Sequence, residues 1–188
     1  MTGLRLATAR VDLRRFTADD TKLLVELDND AAVMRYINGG RPVPREEIVD
    51  ETLPAFLGYY ERGAVYGFWA AIERTGGRFL GWFHFRPGEG DGPFEPELGY
   101  RLHREAWGRG FATEVSQALI DDGFLHHDVE LVRASTMVVN VASRRVMEKV
   151  GMRLVRTFHA DWPVRIDGDE HGDVEYVVTR REWEATRV

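Results

Sequence analysis

Residues 97–119 read ELGYRLHREAWGRGFATEVSQAL, a short strand, a glycine-rich turn and the start of a helix in immediate succession. Glu97 to Leu102 forms the strand, and beyond the turn Phe111, Val115, Ala118 and Leu119 repeat at i, i+4, i+7 and i+8, the spacing of one helix face. Between them lies Trp107-Gly108-Arg109-Gly110-Phe111-Ala112-Thr113, where small residues let backbone come close to a ligand. Amide N–H groups there converge at the positive end of the helix, and a diphosphate would fit. Taken alone, a Gly-x-Gly turn before a helix reads equally well as a tight turn.

Working outward, Ala9 to Phe16 alternates charged and apolar residues, as a first strand with one buried face does. Thr17 reads as a helix cap with Asp20 in the acidic first turn and Leu23, Leu24 and Leu27 as the buried stripe. A second helical pattern starts near Pro44, carries Ile48, Ala55, Phe56 and Tyr59, and stops at Gly63, with Pro54 expected to bend or split it. Val65 to Ile72 and Arg78 to Phe85 form a predicted hairpin around Thr75-Gly76-Gly77, whereas Arg86 to Pro96, rich in Gly and Pro, reads as loop. On the C-terminal side a strand over Leu131 to Val139, a helix over Ala142 to Val150 stopped by Gly151, and strands over Arg153 to Phe158 and Val174 to Thr179 complete the pattern. No internal repeat interrupts this mixture, so a single α/β or α+β domain over residues 1–188 is expected.

Composition narrows the chemistry. With 44% hydrophobic and 30% charged residues, no long apolar run and no signal-like N-terminus, the chain reads as a soluble protein of the cytoplasm rather than a membrane protein. It has no cysteine, which excludes disulfides, thiolate metal sites and a cysteine nucleophile. A net charge of −6 argues against nucleic acid as a general partner, since such binding rests on clustered Lys and Arg.

The run Trp107 to Thr113 resembles the acetyl-CoA loop of the GNAT superfamily of N-acetyltransferases, Q/R-x-x-G-x-G/A, with Gly110-Phe111-Ala112 on its G-x-G/A positions. Trp107 stands where that pattern has Gln or Arg, a departure similar to the RimJ/RimL-like branch, whose loops often read W-G-K-G-Y-A. Glu97-Leu98-Gly99-Tyr100 is similar to that branch's fourth strand. Asn140-Val141-Ala142-Ser143 and the run from Val146 through Glu148, Lys149 and Gly151 to Met152 are similar to its N-x-x-S and E-K-x-G-F stretches. The likeness covers Glu97 to Phe158 and fades in the first 60 residues, where substrate-binding helices would sit.

The resemblance implies a mixed, mostly antiparallel central sheet of about seven strands, with helices on both faces and a splayed central pair that admits the pantetheine arm as an extra strand. Backbone groups of Tyr100, Arg101 and Leu102 would pair with that arm, Trp107, Gly108, Arg109, Gly110, Phe111, Ala112 and Thr113 would hold the diphosphate, and Asn140 and Ser143 would meet the arm from the following helix. The implied reaction is direct attack of a primary amine on acetyl-CoA with no acyl-enzyme and no metal, the amine belonging to a protein N-terminus or to a small molecule such as an aminoglycoside, polyamine or amino acid. Dimers are common among similar proteins. Many relatives place a proton-donating tyrosine where this chain has Met147; Ser143, one turn earlier, is the expected replacement, or else a serine satisfying backbone donors at a helix start. Glu97 is the candidate base, or a solvated strand-end charge, with His84 a lesser candidate. The missing tyrosine also admits a coenzyme A sensor without catalysis. Asp167 to Val178 superficially resembles a calcium loop but has His171 at position five and Val178 at position twelve, so it reads as an acidic turn beside the acceptor site. The neighbouring His126 and His127 point apart and are not a metal site.

Overall fold

The chain opens with an antiparallel hairpin of β1 (Leu4–Ala7) and β2 (Val11–Arg15), in a computed structural model that describes residues 3–63, 65–88, 90–160 and 165–187. β3 (Gly67–Glu73), β4 (Phe79–Pro87) and β5 (Pro96–Leu102) continue the antiparallel order, each beside its predecessor. β6 (Leu131–Met137) then lies parallel to β5, and β7 (Arg153–Phe158) and β8 (Asp173–Thr179) finish a sheet ordered β1-β2-β3-β4-β5-β6-β8-β7. Eight strands replace the expected seven because β1, only four residues long, is too short for alternation to show in the sequence. Met1 and Thr2, the start of the segment tested for a signal peptide, lie outside the described residues.

Alternation sorts the strand side chains onto two faces. Leu80, Phe83 and Phe85 of β4 and Leu98 and Leu102 of β5 pack with Phe111, Val115, Leu119 and Phe124 of α5 (Phe111–His126). Trp82 and Phe79 face the other way, against Phe16, Leu24, Leu27, Met34, Ile48 and Phe56. Phe16 follows β2, Ile48 opens a π-turn just after α3 (Arg45–Glu47), and the others come from the helices α1 (Thr21–Asp28), α2 (Ala31–Asn38) and α4 (Leu53–Tyr59). α6 (Val141–Lys149) follows β6, and α7 (Arg180–Ala185) follows β8. No helix among the described residues is long and apolar enough to cross a membrane.

Local chemistry explains the departures from the sequence reading. Thr17 and Asp20 do form a capping box, but the first turn is 3₁₀ and α1 starts only at Thr21. Pro54 occupies the first turn of α4, where its missing N–H costs little, and the expected bend appears as a π-turn over Ile48–Thr52 rather than a break. Ala55 is exposed there, and Leu53 takes its place in the core. α2 and α7 had no counterpart in the sequence reading, although both carry caps: the Asp30 carboxylate accepts from the Ala32 amide at 3.0 Å, and Thr179 forms a capping box with Glu182. Gly39, at φ 76°, ends α2 in the left-handed conformation that glycine adopts without strain.

Candidate active site

β5 and β6 share one register pair, Glu97 with Arg133, and part beyond it. On its other side β5 stays paired with β4 from Pro96 to Leu102, so residues 98–102 form an edge on the β6 side only. The wedge so opened is the floor of a groove of about 860 Å³, bounded by the Gly108–Thr113 turn, β5, β6, the start of α6 and one face of α2.

At one end Gly108 and Gly110 adopt φ 67° and 81°, and α5 starts immediately after them. The first helical bond runs from the Glu114 amide to the Gly110 carbonyl at 3.0 Å, so the amides of Phe111, Ala112 and Thr113 precede the helical ladder. Gly108, Gly110, Ala112 and Thr113 line the groove, as does Trp107, whose indole N–H donates to the Leu102 carbonyl at 2.8 Å and fixes the turn against the end of β5. The Arg109 and Phe111 side chains point elsewhere. Arg109 pairs with Glu73 at 3.2 Å, and Phe111 is buried in the core beneath the Arg10 guanidinium, so both can serve the groove only through backbone. Ala142, Arg145, Val146 and Lys149 recur at helical spacing along the face of α6 that lines the groove, and the two cations make that end suited to an anion.

At the wedge itself Tyr100 and Ser143 meet from opposite walls. The Tyr100 hydroxyl donates to Ser143 Oγ at 3.3 Å, and burial raises the phenol's pKa, with the Ser143 contact lowering it in part. The cap of α6 is Asn140: its Oδ1 accepts from the Ser143 amide at 3.3 Å, and its amide donates to Thr136 Oγ1 at 3.0 Å. Ser143 therefore does not do the backbone capping considered for it, and its hydroxyl faces the wedge. Met147 is 5% exposed, part of the core as well as of the groove wall. Asn140 also lines the groove, although both ends of its side-chain amide already have protein partners.

The opposite face of the sheet carries the remaining candidates. Arg101 points toward α1, where Nη1 lies 2.6 Å from Asp28 Oδ1, and its guanidinium covers the Trp82 ring at 5.0 Å. That contact is an ion pair without the alignment of a hydrogen bond, and Asp28 is only 2% exposed. His84 lies opposite Gly99, packed beside Phe68 and Trp82, and any β-carbon on Gly99 would stand 2.1 Å from its Nε2. Burial, helped by Arg86 and Arg101, pushes the imidazole down to about 3, so it is neutral at physiological pH. Trp82 Nε1, His84 Nδ1 and Arg101 Nε are buried without a hydrogen-bond partner among the described residues, and all three residues line the groove.

Glu97 sits at the closed end of the wedge, opposite Arg86 on β4 and Arg133 on β6, and is not among the residues lining the groove. Burial raises its pKa; Arg86 and Arg133 oppose that rise, while Asp91 and Glu175 reinforce it. Any service to the groove must run through an intervening group.

Sequence reading missed two contributors. Ala32, Val33, Tyr36 and Ile37 bring α2 to the groove; the Asp30 cap and the Gly39-Gly40 stop were the available signal. The other is the side chain of Tyr100, cited only for its backbone. In the acidic turn, Asp167 lines a small cavity of about 130 Å³ with Arg35, Arg41 and Arg165. His127 pairs with Asp122 at 3.1 Å, and no cluster of three or more metal-ligating side chains occurs among the described residues.

Residues 10–153 match the family model described as an acetyltransferase (GNAT) domain. The FsC-acetyl coenzyme A-N(2)-transacetylase of Aspergillus fumigatus is 29% identical over 184 residues, covering 95% of this chain and 77% of that protein. The uncharacterized protein YkkB of Bacillus subtilis is 31% identical over 156 residues, 81% of this chain and 87% of that one. Among solved structures, the RimL ribosomal alpha-N-protein acetyltransferase in complex with coenzyme A superposes with TM-score 0.74 at 18% identity, covering 94% of this chain and 97% of that chain. An aminoglycoside acetyltransferase, also with coenzyme A, gives TM-score 0.72 at 22% identity over 95% and 99% of the two chains, and at these identities both matches speak to fold alone.

Proposed function

The chain belongs to the GNAT acetyltransferase family and is an acetyl-CoA-dependent acyltransferase, and from that premise we propose that it is a RimJ/RimL-like enzyme acetylating the α-amine of a protein or peptide N-terminus. The observation that carries this reading is the open wedge between β5 and β6, continuous with a turn whose amides precede the α5 ladder. Phosphate oxygens are accommodated at the start of α5, with Arg145 and Lys149 adding charge from α6. The free edge of β5 offers the backbone groups of Tyr100 and the Leu102 amide to a pantetheine arm, whereas the Arg101 carbonyl, expected to join them, turns to β4 and the Leu102 carbonyl is held by Trp107.

Acetyl transfer then needs a neutral amine, a polarised carbonyl and a stabilised thiolate. An amine of pKa about 8 to 10 arrives mostly protonated at pH 7, so a proton acceptor is required. Glu97 takes that role through a water relay, its raised pKa bringing it closer to a base's working range than an ordinary carboxylate. The neutral His84 ring and the Trp82 indole border the acceptor's path on the face opposite α5. A backbone N–H near Tyr100 supports the carbonyl oxygen as it gains charge. Ser143 orders the departing sulfur on the α5 and α6 side.

A second reading, transfer to a small-molecule amine, is favoured by the relative whose name places its chemistry on an N(2) amine. Thiol release from acetyl-CoA, measured with peptides bearing free N-termini beside diamines, aminoglycosides and amino acids, separates the two. Turnover confined to small amines would end the first. Absence of saturable heat on titrating folded protein with acetyl-CoA would end both.

A further inference from the structure

Met147 leaves the α6 wall of the wedge without the acidic hydroxyl that attack on a thioester calls for, yet a phenol reaches the same space from the facing strand. Tyr100 projects from β5 on the α5 side of the sheet, its ring 5.4 Å from that of Phe83, and its hydroxyl crosses the wedge to Ser143. Both residues line the groove beside Gly99, where β5 and β6 have already parted. We propose that Tyr100 is the catalytic residue that gives its phenolic proton to the departing thiolate, with Ser143 as the positioning residue that holds the hydroxyl in the wedge.

The proposal rests on the acetyltransferase reading and deepens it. The amine nitrogen forms the new C–N bond, the C–S bond breaks with its electron pair on sulfur, and the phenolic proton moves to that sulfur. The phenolate recovers a proton equivalent to the one the nitrogen loses, relayed through Ser143 or solvent, so one amine and one thioester become one amide and one thiol. Three features suit Tyr100 to this. Burial raises its pKa, so it keeps its proton throughout the neutral range. Because Asn140, not Ser143, caps the start of α6, the Ser143 hydroxyl can rotate to donate to the phenolic oxygen, which turns the single phenolic proton from Ser143 toward the sulfur. Tyr100 also lies on the sheet face away from His84 and Arg101, so the leaving group and the acceptor approach the thioester carbon in the wedge from opposite faces.

The test needs no knowledge of the acceptor. The probe is coenzyme A in its free thiol form, bound to the full chain, with its thiolate followed by ultraviolet absorbance through a pH titration. An alkyl thiol titrates at about 8.5 in water, and a hydrogen-bond donor at the sulfur lowers that value. With the Tyr100→Phe protein the bound thiol is expected to titrate about one pH unit higher than with the parent, because the ring and its packing remain while the donor is gone. Arg145 and Lys149, which also favour a thiolate, are the same in both proteins. Ser143→Ala should give a smaller displacement in the same direction. Under turnover with acetyl-CoA and a peptide amine, Tyr100→Phe should lower kcat about 100-fold without moving KM for acetyl-CoA. Equal thiol titrations in parent and Tyr100→Phe, with coenzyme A bound to both, would overturn the proposal and leave the acetyltransferase reading standing. Failure of the parent to bind coenzyme A would overturn both.

Discussion

The two sides of the groove are built on different principles. The proposed donor side, from β5 through the Gly108–Thr113 turn to α6, is made largely of backbone: glycine dihedrals, a helix start and a strand edge. The proposed acceptor side, from α2 across Trp82 and His84 to Arg101, is made of side chains held by one another, such as Arg101 between Asp28 and the Trp82 ring. Backbone recognition suits a ligand that never changes. Side-chain recognition can be revised by single substitutions without disturbing the sheet, so the donor half of the site should be brittle and the acceptor half adjustable.

The largest expected effect comes from breaking the donor side. Gly110 holds φ 81°, where a β-carbon costs about 1 to 2 kcal/mol and would stand 3.5 Å from Arg10 Nη2, and an added carboxylate would bring negative charge to the start of α5 and draw Arg10 off the Arg109 carbonyl. Gly110→Asp should weaken acetyl-CoA binding about 1000-fold by calorimetry, roughly 4 kcal/mol, while the protein stays folded by thermal melting. A loss under tenfold would show that the turn is not a phosphate cradle.

The same dependence on backbone is what made the proposed donor side legible. A turn that must take positive φ requires glycine, and a helix start that must stay uncovered excludes a capping side chain; both leave letters in the sequence, Gly108 and Gly110. The splay was expected only from the family resemblance that this stretch carries, and the strands from β2 onward were each marked by their own patterning. The proposed acceptor side left no such trace, because Val33, Tyr36 and Ile37 are buried or half-buried residues of a short helix whose spacing does not tell groove wall from core. Tyr100 was legible as strand and illegible as a hydroxyl donor, since its partner lies 43 positions away on another element. Glu97 was placed correctly on its strand, but a strand position does not say where the wedge closes, and the structure sets it at the closed end.

Glu97→Gln probes the junction of the two halves. Burial lifts the pKa of Glu97 above the ordinary carboxylate range, so the rising limb of kcat/KM against pH should lie higher than a surface glutamate would place it. The glutamine variant should lose that limb and about 100-fold in kcat/KM at neutral pH, with acetyl-CoA affinity unchanged. An identical profile in both proteins would remove Glu97 from the reaction.

His84 tests whether the acceptor side is held by packing rather than charge. Its pKa is depressed in the folded protein to about 3, against 6.5 when unfolded, so the unfolded chain binds the extra proton first. The stability it contributes is complete above about pH 6.5 and is lost as pH falls toward about 3. Between pH 7 and pH 5 the parent should lose about 2 kcal/mol more than His84→Gln in urea unfolding, and parallel losses would mean that the imidazole is solvated.

The smallest effect should come from Tyr36, which reaches the groove from α2 with Arg35 stacked on its ring at 5.2 Å. Tyr36→Ala removes apolar wall on the acceptor side and touches neither β5 nor the turn before α5. It should therefore raise KM for a peptide amine about fivefold, near 1 kcal/mol, and leave the Kd for acetyl-CoA where it was. A fivefold loss in acetyl-CoA affinity instead would mean that α2 leans on the donor, and that the two halves of the groove are one unit.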